Sequence, residues 1–207
     1  WELQITTPAA SFEEYTLTLT DGEQSVTLQH LLIGEVWLCA GQSNMVMPLN
    51  GFDYCPISDS NNVIADAPNH PGIRVVTIKP TVKLSPQEYA EGSWQQPTTE
   101  NAPKFSAAAY HYALTLQRTL QIPIGVITCA WGGSRVEGWL PKEILQTYKD
   151  EDLTLIGSDK TPVYLQSMLM YNGILYPCHK YTIKGFIWYQ GAVSYTHLRA
   201  HETLANL

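Results

Sequence analysis

The chain has 207 residues, 44% of them hydrophobic, with a formal net charge of -7. That is apolar material enough for one main domain with room for part of a second. The acidic balance, with no run of Lys and Arg, argues against a nucleic-acid or membrane-surface partner, and no apolar segment approaches the ~20 residues needed to span a bilayer. No basic-then-apolar leader opens the chain. It starts at Trp1 rather than Met and is expected to be cut from something longer.

Residues 12–20 alternate Tyr15, Leu17 and Leu19 with polar neighbours, Asp21-Gly22 supplies a turn, and Ser25-Val26-Thr27-Leu28 resumes the alternation. This period-two pattern predicts a β-hairpin with one wet face. Residues 1–33 are therefore expected to be the end of an antiparallel β-module. From Gly34 the pattern changes: Glu35-Val36-Trp37-Leu38-Cys39-Ala40 is β-favouring and almost continuously apolar, as a strand is when both of its faces are covered. It stops on Gly41-Gln42-Ser43-Asn44. That turn sets one hydroxyl at the strand's carboxyl end, the side on which open α/β sheets bind ligands. A serine there is placed to be a nucleophile; Gly, Ser and Asn are also the residues of an ordinary surface turn.

Residues 46–72, rich in Asn, Asp, Pro and Gly, read as a long irregular wall of a binding site behind that serine. Ile73-Arg74-Val75-Val76-Thr77-Ile78 is a second strand, and residues 79–103 are loop-like around Trp94. Phe105, Ala108, Ala109, Tyr112, Leu116 and Leu120 recur at three- and four-residue steps. They predict a helix from Phe105 to Leu120 that ends before Ile122-Pro123. Residues 124–130 form a third buried strand that stops on Trp131-Gly132-Gly133-Ser134. Pro141 opens a short helix. A further helix is predicted from Pro162 to Tyr171, stopped by Asn172-Gly173, and residues 183–189 are a fourth strand ending on Gln190-Gly191.

Strands and helices thus alternate, which favours a parallel sheet covered on both faces. The turns after the strands would then share one rim. The cysteines, at 39, 55, 129 and 178, show no C-x-x-C pair and no metal-ligand spacing, so neither a metal site nor a disulfide framework is expected. Cys39 and Cys129 read as small buried hydrophobes. Six Trp and twelve Tyr suit a core or a sugar-stacking surface.

Taken together, Gly34 to Met45, Phe105-Ser106-Ala107-Ala108-Ala109-Tyr110, Trp131-Gly132-Gly133-Ser134 and Ile187-Trp188-Tyr189-Gln190-Gly191 resemble the sialate O-acetylesterase family. These are carbohydrate esterases of the SGNH hydrolase superfamily, and the resemblance covers about residues 12–191. It implies a three-layer α/β/α SGNH-hydrolase (flavodoxin-like) fold on a parallel sheet, over residues 34–192, incomplete at its C-terminal end and accompanied by a β-rich module. By position, Ser43 is the implied nucleophile toward an acetyl ester on a sugar hydroxyl. The backbone N–H groups of Ser43 and Gly133 are the implied donors to the oxyanion. Gln42, Asn44, Arg135 and Gln190 are the implied substrate contacts, although Gln42 and Arg135 also read as solvated surface residues. Trp131 and Tyr189 are expected to pack under the rim. The resemblance implies an O-acetylated sugar or glycan as partner, no metal or organic cofactor, and a periplasmic or secreted location.

The pattern breaks after Gly191. The family continues into Glu, a small residue and an Asn whose side chain is the third oxyanion donor, whereas this chain reads Ala192-Val193-Ser194. Losing one such donor costs on the order of 3–4 kcal/mol in the transition state. The family's catalytic Asp and His come from an Asp-x-x-His element, and this sequence contains none. His30, His70, His111 and His179 do not match that position, and none is assigned as the base. The tail from Val193 to Leu207, with His197 and His201, reads as foreign sequence. The expectation is a fragment of an O-acetylesterase with little or no turnover. Deacetylation of xylan or another polysaccharide, and glycan binding without catalysis, are the alternatives.

Overall fold

The computed structural model describes residues 4–191, which build two sheets. Ser11–Thr20 (β1) and Ser25–Ile33 (β2) pair antiparallel. The Asp21 carboxylate closes their turn by accepting from the N–H groups of Glu23 and Gln24 at 3.0 and 2.7 Å. Among the described residues, the less exposed face of this hairpin is only partly covered. Tyr15, Leu17 and Leu19 are half-buried, and Val26 and Leu28 are 59% and 44% exposed. A two-stranded ribbon has a covered face only where a third layer lies on it. Here the ribbon meets the main body at points, Phe12 against Gly72 and Glu14 against Arg74 at 3.4 Å.

The second sheet is parallel throughout. Its strands are Glu35–Gly41 (β3), Ile73–Thr77 (β4), Ile124–Ala130 (β5) and Gly185–Tyr189 (β6), in the spatial order β4-β5-β3-β6. Successive side chains point to opposite faces. Cys39, Val75, Ile124 and Val126 enter one core, with Met45, Phe105 and Tyr110. Leu38, Ala40, Val76, Ile127 and Cys129 enter the other, with Trp139, Leu169, Met170 and Ile174. The result is a parallel sheet covered on both faces, as the alternating pattern predicts, in the three-layer arrangement implied by the resemblance.

Helix Ser43–Val46 (α1) follows β3 directly. The wall expected to be irregular contains a short helix, Ser60–Asp66 (α2), continued by the 3₁₀ turn Ala67–Asn69. The long helix is Ala107–Leu120 (α3), capped by the Ser106 hydroxyl, which accepts from the Ala109 N–H at 3.3 Å. Its buried line is Ala109, Tyr110, Ala113, Leu114 and Gln117, while Ala108, Tyr112 and Leu116 are half-buried and Leu120 is 42% exposed. The contact face is thus turned about one residue from the predicted stripe. Alanines at 109 and 113 let the helix lie close to the sheet, and Tyr110 fills the space beside them.

Helix Lys142–Leu145 (α4) starts after Pro141, which serves as its N-cap. The helix predicted over 162–171 is not one element. Val163–Leu165 is a single 3₁₀ turn, Met168 adopts φ +70°, and helical turns run from Leu169 through Asn172-Gly173 to Cys178. Asn172 fails as a stop because it is buried: its Nδ2 donates to the Lys83 carbonyl at 3.1 Å and its carbonyl accepts from the Gln87 N–H at 3.0 Å. The foreign tail expected from Val193 lies outside the described residues.

Gly41 ends β3 at φ +146°, and a Cβ there would fall 2.1 Å from the Tyr189 carbonyl oxygen. Gly41→Ala should lower stability by about 2–4 kcal/mol. Urea unfolding measures this, and a loss under ~0.5 kcal/mol would show that the strand end is not built this way.

Candidate active site

Parallel pairing brings the strand ends together. Gly41 lies opposite Ala130 on one side and Tyr189 on the other, so the turns that follow β3, β5 and β6 all leave on one rim. Ser43 opens α1 on this rim and is partly exposed, as is Asn44. The turn after β5 lies directly against it: a Cβ built on Gly132 would be 3.8 Å from the Ser43 Cβ. Gly133 takes φ +76°, a conformation L side chains rarely adopt. These glycines present bare backbone on the rim, Gly132 toward Ser43 and Gly133 toward the Tyr164 ring.

Buried hydrogen bonds fix the loops. Gln42 is 4% exposed. Its Nε2 donates to the Ser134 carbonyl at 2.6 Å, and its Oε1 accepts from the Gly191 N–H at 3.2 Å. Gln190 Nε2 donates to the same Ser134 carbonyl at 3.2 Å. Backbone bonds add to the joint: Gln42 N–H to Tyr189 O at 3.0 Å and Trp131 N–H to Gly41 O at 3.1 Å. The Ser134 hydroxyl, fully buried, donates to Trp131 O at 2.8 Å and accepts from Trp139 Nε1 at 2.9 Å. Trp139 in turn meets Trp188 edge-on at 5.9 Å.

The Phe105-Ser106 motif acts from behind. Leu49 N–H donates to Phe105 O at 2.8 Å and Ala107 N–H to Met47 O at 2.9 Å, while the Ser106 hydroxyl lies 3.4 Å from the Met45 sulfur. The segment that leaves α1 is thereby pinned to the start of α3.

The structure brings Ser43, Asn44, Gly133, Gln42 and Gln190 to one rim. It gives the polar side chains there different work from that implied by the resemblance. The Gln42 amide and the Gln190 Nε2 are directed inward, to the loops. Arg135 is held by carboxylates: its guanidinium meets Glu137 at 3.1 Å and Glu151 at 2.7 Å, beside a cleft of about 310 Å³ that Tyr148 and Leu140 also line. Burial opposes the charge, but the two carboxylates hold it above the usual arginine range. Trp131 packs against the Trp139 side of the core, whereas Tyr189, on the edge strand β6, is 47% exposed. Ser134, Trp139, Glu137 and Glu151 were not foreseen. The one signal for Ser134 is its place directly after Gly132-Gly133.

Among the described residues no histidine reaches Ser43. His30 pairs with Glu14 at 2.8 Å, His70 with Asp66 at 2.9 Å and Gln117 at 3.2 Å, and His179 with the Tyr176 carbonyl at 2.6 Å. His111 is exposed on α3. No group of three or more His, Cys, Asp or Glu among the described residues could hold a metal ion. Gln42→Ala removes one of two donors from the Ser134 carbonyl and the acceptor of the Gly191 N–H. The expected outcome is a loss of about 1–3 kcal/mol, with faster amide hydrogen exchange at Gly191 and across 131–134. Unchanged exchange in a folded variant would contradict the bracing.

Comparison with known proteins agrees with this architecture. The model of the family described as carbohydrate esterase, sialic acid-specific acetylesterase matches residues 33–203. The sialate O-acetylesterases of Pongo abelii and Homo sapiens are each 27% identical to the chain over 175 residues, covering 81% of this chain and 32% of those proteins. The chain thus spans about a third of the length of these relatives. A solved carbohydrate acetylesterase from Xanthomonas citri superposes with a TM-score of 0.79 at 28% identity, over 98% of this chain and 42% of that one. Over most of its length, then, the chain belongs to the family of sialic acid-specific carbohydrate acetylesterases.

Proposed function

We propose that this chain carries the nucleophile half of a serine carbohydrate esterase that removes O-acetyl groups from sialic acid or a related glycan. The observation that carries the proposal is the 3.8 Å approach of a Gly132 Cβ to Ser43, because it sets a run of bare backbone beside a hydroxyl on the ligand-binding rim. The Ser43 Oγ attacks the acetyl carbonyl, and the carbonyl oxygen becomes an oxyanion held by the N–H groups of Ser43 and Gly133. Collapse of the tetrahedral intermediate releases the sugar hydroxyl and leaves an acetyl group on Ser43; water then frees acetate. Asn44, partly exposed beside Ser43, is a further sugar contact in this proposal. Gln42, Gln190 and Arg135 act by holding the loops.

The chemistry needs a base to take the Ser43 proton, and no Asp-x-x-His occurs in the sequence. We therefore propose that the 207-residue chain is a fragment and turns over little or no ester. The esterase would work in a periplasmic or secreted setting, as the family resemblance implies.

The test compares this chain with one extended by the native sequence downstream of Gly191, each with and without Ser43→Ala. Acetate release from O-acetylated sialic acid and from an aryl acetate is measured. The extended chain should turn over both esters and lose at least about 1000-fold with Ser43→Ala, while the short chain stays near background. Turnover that survives Ser43→Ala would remove the serine mechanism. Glycan retention without turnover in the extended chain would favour a binding protein instead.

A further inference from the structure

Two of the cysteines meet in the core on the far side of the sheet from α3. Cys129, near the end of β5, is fully buried, and Cys178, at the end of the helical turns that begin at Leu169, is half-exposed. Both thiols point at one acceptor, the Ile174 carbonyl oxygen, at 3.9 Å from Cys129 Sγ and 3.6 Å from Cys178 Sγ. Both pack in the same apolar cluster. Cys39 is excluded from this meeting by sheet geometry: it pairs with Thr128 in register, one residue before Cys129, and so enters the opposite core. Cys55 is exposed and lies in the loop between α1 and α2.

We propose that Cys129 and Cys178 are a latent disulfide pair, which a small-molecule disulfide oxidant converts into an intramolecular bridge between β5 and the helical turns of 169–178. The two thiols have different parts. A Cys178 thiolate would take over the Cys129 S–H from the Ile174 carbonyl, which lowers the pKa of Cys178, while contact with Cys178 and burial raise that of Cys129. Cys178 is thus both the more accessible thiol and the one more readily ionised, as an attacking thiolate must be. Its thiolate attacks one sulfur of the oxidant, forms a mixed disulfide and expels one thiolate. Cys129 then gives up its proton to solvent and displaces the second thiolate, which closes the protein bridge. Two protein thiols are oxidised and one small disulfide is reduced to two thiols, so the electrons balance. The bridge anchors the stretch three residues before Gly132, at the root of the turn that faces Ser43.

The full chain carrying Cys55→Ser is incubated natively with oxidised glutathione, quenched in acid, alkylated after denaturation and mapped by non-reducing peptide mass spectrometry. The expected result is one crosslinked peptide joining Cys129 to Cys178, with Cys39 alkylated and the intact mass before alkylation lower by two hydrogens. A Cys129→Ser variant should stop at the glutathione adduct on Cys178. Full alkylation of both thiols, a glutathione adduct on Cys178 that never resolves in the presence of Cys129, or a bridge through Cys39 would each overturn the proposal. The peptide map needs no substitution at either thiol, so a poorly folded Cys129→Ser protein leaves the test intact. Neither outcome depends on ester hydrolysis.

Discussion

The Ser134 carbonyl oxygen accepts from two glutamine amides, Gln42 Nε2 at 2.6 Å and Gln190 Nε2 at 3.2 Å. These residues come from three turns that leave three different strands. Parallel pairing places the roots of those turns side by side, but it does not make them face one another. The two glutamine amides supply that second constraint, and Gln42 extends it by accepting from Gly191 N–H at 3.2 Å. The Gln42–Ser134 bond is buried, which strengthens it and makes its loss costly. The rim therefore holds one arrangement rather than several, which is what a site acting through fixed backbone donors requires.

Around this joint, bulk and its absence are distributed by face. Behind the rim, Trp139 and Trp188 stack edge-on at 5.9 Å, and the Trp139 ring nitrogen is anchored on the Ser134 hydroxyl. At the rim itself, Gly41, Gly132 and Gly133 carry no side chain. Gly41 allows β3 to pass against the Tyr189 carbonyl, and Gly132 lies beside Ser43, where a Cβ would make an ordinary contact at 3.8 Å. Large rings thus set the position of a loop that carries bare backbone beside Ser43. The Arg135 guanidinium, held between Glu137 and Glu151, ties the far end of the same loop to the segment after α4.

The strands of the main sheet were legible in the sequence because each is a short, mostly apolar run, and the common rim because three of the four, β3, β5 and β6, close on a glycine turn. That pattern depends on the residues themselves and not on distant partners. Ser43 was legible for the same reason, as the hydroxyl in the first of those turns. What was not legible depends on tertiary partners. A glutamine in a turn looks the same whether its amide faces solvent or, as with Gln42, a carbonyl 92 residues away. Arg135 likewise shows no sign in sequence of the Glu151 carboxylate that occupies it. The helix expected over 162–171 is broken at the left-handed Met168, and the stop expected at Asn172-Gly173 failed because that pair is a stop signal only when it is solvated, whereas here both are buried against residues 81–87. The hairpin kept its alternation, but no third layer covers it among the described residues.

The measurement that bears most directly on this account is a crosslink across the rim. A Cβ on Gly132 would lie 3.8 Å from the Ser43 Cβ, which is the usual Cβ separation in a disulfide. A protein carrying Ser43→Cys and Gly132→Cys in a Cys55→Ser background should therefore close this bridge under mild oxidation, and peptide mapping should find the two introduced thiols joined. If they remain free while the protein stays folded, the turns after β3 and β5 do not face each other, and the site described above does not exist.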